Sequence, residues 1–188
     1  MLLEIKYWFA CFVVWLSGWK EDKDHQYYLS EIHNTKKIMI IGEPHTHILD
    51  FFVMLTMSWY FKFEHLHFFI TSKHMYPGVS ILMNMVGAIP VNNKNKKNGL
   101  VETIVKEINK RDKITVQIGP SGTRKKTDTW KSGFYHIAYN SDIPILCSYI
   151  DSETKTFGFS SPFKLTGNYK ADMDKIRIIY ENKFGLNK

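Results

Sequence analysis

His45 and Asp50 stand five residues apart in the segment Gly42-Glu43-Pro44-His45-Thr46-His47-Ile48-Leu49-Asp50. Set on one helix they would lie roughly 140° apart and share no face. If His45 sits in a turn and a helix begins near Thr46, a good N-cap, Asp50 falls in the first turn and reaches back to the imidazole. A carboxylate holding one ring nitrogen leaves the other free as a general base. A chance His-x4-Asp in an ordinary turn has the same appearance when taken alone.

A second cluster reads Ile118-Gly119-Pro120-Ser121-Gly122-Thr123-Arg124-Lys125-Lys126. Glycines beside Thr123 and Arg124 suit an anion cradle, in which backbone N–H groups and a guanidinium grip a phosphate. Between the two clusters lies Gly87-Ala88-Ile89-Pro90-Val91-Asn92-Asn93, followed by Lys94, Lys96 and Lys97. Its basic tail is either a solvated face or a further phosphate contact.

These residues need elements to hold them. Ile38–Ile41 and Phe68–Ile70 are short apolar runs, and Ile114–Ile118 and Ile143–Ile150 are further strand candidates. Ile48–Phe61 is strongly apolar and of helix length, and Pro77–Met85 reads as a helix opened by proline and closed by Gly87. Ala88–Val91 is extended, because Pro90 forces its predecessor out of the α region. Leu100, Ile104 and Ile108, with Val101 and Val105, mark one apolar face of a helix from about Lys97 to Lys110. Trp130, Phe134 and Ile137 follow at helical spacing, Lys155–Phe159 offers an antiparallel partner strand, and Asp172–Phe184 reads as a last helix with Met173, Ile176 and Ile179 inward. Strands that are continuously apolar are buried on both faces. Their alternation with helices predicts an α/β layered sandwich with a largely parallel central sheet. Chemistry in such folds collects at the carboxyl ends of strands, here just after Ile41, Ile70, Val91 and Ile118.

The 188 residues suffice for one domain with a core of its own, and two cysteines, Cys11 and Cys147, rule out a disulfide framework. Lys and Arg number 25 against 18 Asp and Glu, a net +7 that suits nucleic acid, anionic lipid or a phosphorylated small molecule. Tyr7–Leu16 is an unbroken apolar run of ten residues, short of the roughly 20 that a membrane span needs. It predicts an apolar N-terminal helix over residues 1–20, ahead of a domain over residues 21–188. One face of that helix is expected to pack on the domain. The other is expected to lie in a membrane interface with Trp8, Trp15 and Trp19 at headgroup depth.

Together and in this order, the segments resemble the lysophospholipid acyltransferase family, best known for 1-acylglycerol-3-phosphate acyltransferases. The first block of that family, His-x4-Asp, matches His45 and Asp50. The second, Gly-x-Ile-Pro followed by an Arg-containing loop, matches Gly87, Ile89 and Pro90. The third, usually Pro-Glu-Gly-Thr-Arg, matches Pro120, Gly122, Thr123 and Arg124, and the fourth, a strand opened by proline, matches Pro144-Ile145. Lys131-Ser132-Gly133-Phe134 resembles the Lys-Gly-Phe stretch after the third block, and Lys73 a lysine ahead of the second. The resemblance runs from about Leu16 to Asp151. Three positions depart from it: Ser121 replaces the usual Glu, Asn93 the usual Arg, and Cys147 a common second Pro.

The resemblance implies direct acyl transfer from acyl-CoA or acyl-carrier protein, as co-substrate, to a hydroxyl of a lysophospholipid or glycerol-phosphate-like acceptor, with no further cofactor and no metal. His45 would remove the hydroxyl proton and Asp50 would stabilise the imidazolium. Substrate binding would fall to Lys73, Asn93, Gly122, Thr123, Arg124 and Lys131. A peripheral or monotopic place on the cytoplasmic face of a membrane follows from the same resemblance. Two rivals remain at this point. One is a decayed acyltransferase acting as a basic membrane-surface binding protein. The other is a metal-dependent hydrolase built on His45, His47, His65, His67, His74 and Asp50, although His65 and His67 are expected to precede a strand rather than follow one. Nucleic-acid binding has charge but no motif behind it.

Overall fold

The computed structural model describes residues 2–22, 28–43, 50–72, 75–91, 99–121 and 130–183. The apolar runs become strands: β1 (Lys20–Glu21), β2 (Lys37–Gly42), β3 (Leu66–Thr71), β4 (Ala88–Val91), β5 (Ile114–Ile118), β6 (Ile145–Asp151) and β7 (Thr156–Phe159). Helices alternate with them: α1 (Leu2–Ser17), α2 (Leu29–Asn34), α3 (Asp50–Tyr60), α4 (Val79–Met85), α5 (Gly99–Asn109), α6 (Gly133–Asn140) and α7 (Tyr169–Tyr180). The strands join in one sheet of order β1-β7-β6-β2-β5-β3-β4. Every pair from β6 to β4 is parallel, and β7 turns back antiparallel on β6. The expected α/β fold with a largely parallel sheet is the fold observed.

Because side chains alternate across a strand, the sheet feeds two cores. Met39, Ile41, Ile114, Val116, Ile145 and Cys147 face α5, α6 and α7, burying Ile104, Ile108, Phe134, Ile137, Met173 and Ile176. Ile38, Ile40, Leu146 and Ile150 point the other way, toward α2, α3 and the aromatic cluster Phe61, Phe63, Phe157 and Phe159. We call these the α5 face and the α3 face. Burial on both faces explains why β2 is apolar without alternation.

α1 lies on α3. Ala10 is fully buried, Phe9 meets Trp59 and Tyr7 meets Tyr60 edge-on or tilted, and Lys62 pairs with Glu4 at 3.0 Å. Trp8, Phe12, Trp15 and Leu16 are left exposed, Trp8 at 68% and Trp15 at 75%. Trp19 parts company with them and packs partly buried against the α3-face core. No helix among the described residues is long and apolar enough to cross a membrane.

Two sequence signals acquire local reasons. Gly87 turns the chain from α4 into β4 with φ +94°, and a Cβ there would run into the Leu66 carbonyl oxygen. Its own carbonyl accepts from the Phe68 N–H at 3.2 Å and from His67 Nδ1 at 3.1 Å. Only glycine meets both demands, the backbone angle and the close approach. Pro90 sits in β4, the last strand of the sheet, where its missing N–H breaks no ladder. Trp130, expected inside a helix with Phe134 and Ile137, stands ahead of α6, which opens at Gly133. His67 lies within β3 rather than before it.

Candidate active site

Parallel strands end together, so β2, β3, β4, β5 and β6 deliver their outgoing segments to one rim of the sheet. β2 and β5 are neighbours, with Ile41 beside Ile118. The chain leaving β2 carries the His45 segment, and the chain leaving β5 carries Gly122, Thr123 and Arg124. Segments 76 residues apart in sequence are thus adjacent at their roots. β6 flanks β2 on the other side, while the segment with Asn93 leaves β4, two strands beyond β5.

His45, Lys73, Asn93, Gly122, Thr123 and Arg124 themselves lie outside the described residues, as does Thr46, the expected N-cap. Asp50 is the first residue of α3. Lys131 is at the rim, its backbone N–H donating to the Pro120 carbonyl at 3.0 Å and so tying together the two ends of the segment that carries Arg124.

Below the rim lies a cavity of about 640 Å³. Gly42, Glu43, Gly119, Pro120 and Lys131 surround its mouth. Its walls draw on both faces of the sheet: Phe69, Leu100, Ile104, Phe134 and Ile137 on the α5 face, and Phe51, Met54, Met57 and Phe68 on the α3 face. The walls are mostly apolar and the mouth is polar. That combination suits a molecule with a greasy tail and a charged or reactive head.

Three residues that sequence reasoning did not single out hold the mouth in place. The Glu43 carboxylate, at the exit of β2, accepts the Ser121 N–H at 2.9 Å, joining the roots of the first and third blocks. The Tyr180 hydroxyl on α7 donates to the Ile41 carbonyl at 2.7 Å, and Ser148 Oγ donates to the same oxygen at 3.2 Å. Burial first, and then nearby Cys147 and Glu43, push the Tyr180 phenol well above its usual range, so it stays a neutral donor. Glu43 stood within the first-block segment and carried a signal of sorts. Tyr180 and Ser148 carried none, since a tyrosine on a terminal helix and a serine in a strand are ordinary.

Two further side chains noted in the sequence, Cys147 and His67, sit in structural settings. Burial pushes the Cys147 thiol up to about 12, so the residue that replaces the common proline is an inert core side chain. His67 is held as a neutral imidazole by burial, and its Nδ1 is engaged by Gly87.

Among the comparisons with known proteins, no curated sequence matches the chain. The model of the acyltransferase family does match, over residues 25–151, more than half of the chain and the span that includes every strand from β2 to β6 and every motif segment around the cavity. The chain belongs to the acyltransferase family.

Proposed function

We propose that this acyltransferase moves a fatty acyl group from the thioester of acyl-CoA or acyl-carrier protein to a hydroxyl of a lysophospholipid or glycerol-phosphate-like acceptor. One observation carries the reading. The His45 segment and the Gly122–Arg124 segment leave adjacent strands, β2 and β5, whose ends line one largely apolar cavity. A base beside a phosphate grip, above room for hydrocarbon, is what an acyl acceptor with a phosphate and an acyl donor together require.

In this reading the free nitrogen of His45 takes the acceptor hydroxyl proton as the oxygen attacks the thioester carbonyl. Asp50 holds the other nitrogen and stabilises the imidazolium. The tetrahedral intermediate then collapses, the C–S bond breaks, and the thiolate leaves with the proton returned by His45. Arg124, with the N–H groups around Gly122 and Thr123, holds the acceptor phosphate, and Lys131 adds positive charge at the rim. Asn93 cannot supply the charge that an arginine has there. Lys94, Lys96 and Lys97 restore the charge but not a bidentate fork.

The same reading places the protein on a membrane surface. Trp8, Phe12, Trp15 and Leu16 of α1 are exposed, and so are Phe52 of α3 and Ile81, Leu82 and Met85 of α4. The right-handed crossover rule puts α4 on the same side of the sheet as α3. Apolar and indole side chains presented by these helices suit burial at headgroup depth, and the net positive charge favours anionic lipid.

The test is lipid mass spectrometry after incubation with acyl-CoA and a panel of lysophospholipids. Transfer to a lysophospholipid is expected, and its loss by about 10²–10⁴ in His45→Ala follows from removal of a general base. Wild-type turnover by His45→Ala would overturn the mechanism.

A further inference from the structure

α7 lies beyond residues 25–151, the span that matches the family model, yet its last residue reaches the rim of the sheet. Tyr180 meets the roots of both segments proposed to carry the chemistry, with different parts of its side chain. Its hydroxyl donates to the Ile41 carbonyl at 2.7 Å, one residue before β2 ends and the chain leads on to His45. Its ring stands edge-on to Trp130, with centroids 5.5 Å apart and planes at 79°. Trp130 directly precedes Lys131, whose N–H closes the Arg124 segment onto the Pro120 carbonyl at 3.0 Å.

The two contacts differ in what they can do. A buried hydroxyl on a carbonyl fixes the place and tilt of one peptide group. An edge-on ring pair fixes the approach of a side chain and directs no backbone polar group. Tyr180 is itself held by other means. Met173 and Ile176, on the same helix, are buried in the α5-face core, and just past the helix Lys183 lies 4.3 Å over the ring of Tyr149, which lines the cavity. The helix end is thus anchored independently of the two segments it touches, as a positioning group has to be.

The geometry points to Tyr180 as a positioning residue with two separable tasks: its hydroxyl sets the segment that carries the base, and its ring sets the segment that carries the phosphate grip. This rests on the acyl-acceptor reading above. Burial keeps the phenol a neutral donor, so it exchanges no proton with substrate and acts through the two segments. Loss of the hydroxyl slows the chemical step, because rate falls steeply when a base is displaced, while the acceptor is still bound. Loss of the ring contact loosens the hold on phosphate.

The experiment uses the full chain as wild type, Tyr180→Phe, Tyr180→Leu, Trp130→Leu and Met173→Ala, the last a buried core residue of the same helix. The acceptors are a 1-acylglycerol 3-phosphate and the 1-acylglycerol that lacks the phosphate, with acyl-CoA as donor. Rates are referred to folded protein, measured by circular dichroism in urea. Tyr180→Phe is expected to lower kcat by about tenfold to a hundredfold, with KM for the phosphorylated acceptor within about twofold of wild type. Trp130→Leu is expected to raise that KM about tenfold with kcat little changed, and to leave KM for the donor and for the unphosphorylated acceptor where they were. Tyr180→Leu is expected to show both effects. Met173→Ala is expected to lower the unfolding midpoint and leave kcat and KM at wild-type values. Wild-type kcat in Tyr180→Phe, or wild-type KM for the phosphorylated acceptor in Trp130→Leu, would overturn the inference. So would a fall in kcat in Met173→Ala equal to that in Tyr180→Phe, which would make helix stability the cause. If wild type itself transfers acyl groups to neither acceptor, the acceptor reading fails and takes this inference with it, a failure that the wild-type assay alone identifies.

Discussion

Gly87→Ala isolates the reason for a glycine in the second block. In the structure Gly87 has φ +94°, and an added Cβ strikes the Leu66 carbonyl oxygen, a backbone atom that cannot rotate away. Forcing a non-glycine residue into such a conformation costs about 1–3 kcal/mol, and overpacking against fixed atoms adds about 1–3 kcal/mol. Against these, alanine restricts the unfolded chain and returns about 0.4–1 kcal/mol. The net is about 1–5.5 kcal/mol, a substantial part of a stability on the order of 5–15 kcal/mol. Relief by backbone movement would also break the bonds from Phe68 N–H and His67 Nδ1 to the Gly87 carbonyl. With a urea slope of roughly 2 kcal/mol per M, the unfolding midpoint should fall by about 0.5–3 M with little change in slope. Gly133→Ala is the internal control. No atom lies within 4 Å of the Cβ it would add, and its midpoint should stay or rise slightly. A Gly87→Ala midpoint within about 0.3 M of wild type, or equal shifts in the two variants, would refute the argument.

Asp172 links the last helix to the core through Tyr135 at 2.8 Å and the hydroxyl and N–H of Thr166 at 2.9 Å each. Burial alone would push its carboxyl up, but these hydrogen bonds outweigh it and hold the carboxyl below its usual value of 3.8. A depressed pKa contributes stability that is present above the unfolded value and lost as pH falls through the folded one. Wild type should therefore lose stability below about pH 4 more steeply than Asp172→Asn, while the variant is less stable at neutral pH by about 1–3 kcal/mol, both read from urea midpoints. Replacing Trp8 and Trp15 together by Ser should leave the unfolding midpoint within about 0.5 kcal/mol of wild type, because both are exposed. Co-sedimentation with anionic vesicles should fall, and undiminished binding would remove α1 from the proposed membrane surface.

The sequence carried the fold where burial is two-sided or periodic. Ile114–Ile118 became β5 residue for residue, and the Leu100, Ile104, Ile108 period became α5. Leu100 is nonetheless 39% exposed, since it lines the cavity rather than the core. β1 was not foreseen, for a strand of two residues is set by its backbone pairing, through Lys20 N–H to the Lys155 carbonyl and Asp22 N–H to the Phe157 carbonyl, each at 2.8 Å, with the Glu21 carboxylate accepting from the Tyr60 hydroxyl at 2.8 Å. Backbone pairing leaves no pattern in side-chain types. Strand order was unreadable for the same reason, and with it the adjacency of β2 and β5, whose outgoing segments carry His45 and Arg124. The motif spacing marked which segments matter. It did not show Glu43 or Tyr180, whose parts depend on what the fold places opposite them.

The strand order also has a consequence during synthesis. β2 emerges early, yet one neighbour, β5, follows about 75 residues later, and the other, β6, about 105 residues later. At roughly 5–20 residues per second on the ribosome, Ile38–Ile41 waits on the order of 5–20 s for its second partner. During that interval α1, α2 and α3 can already gather over one side of β2, but both hydrogen-bonding edges of the strand are open until β5 is made, and the edge that meets β6 is open throughout. An apolar strand with two open edges invites pairing with another nascent chain. The most apolar strand of the core is therefore also the segment most in need of a chaperone, or of early capture of α1 by a lipid surface, until residue 151 has been made.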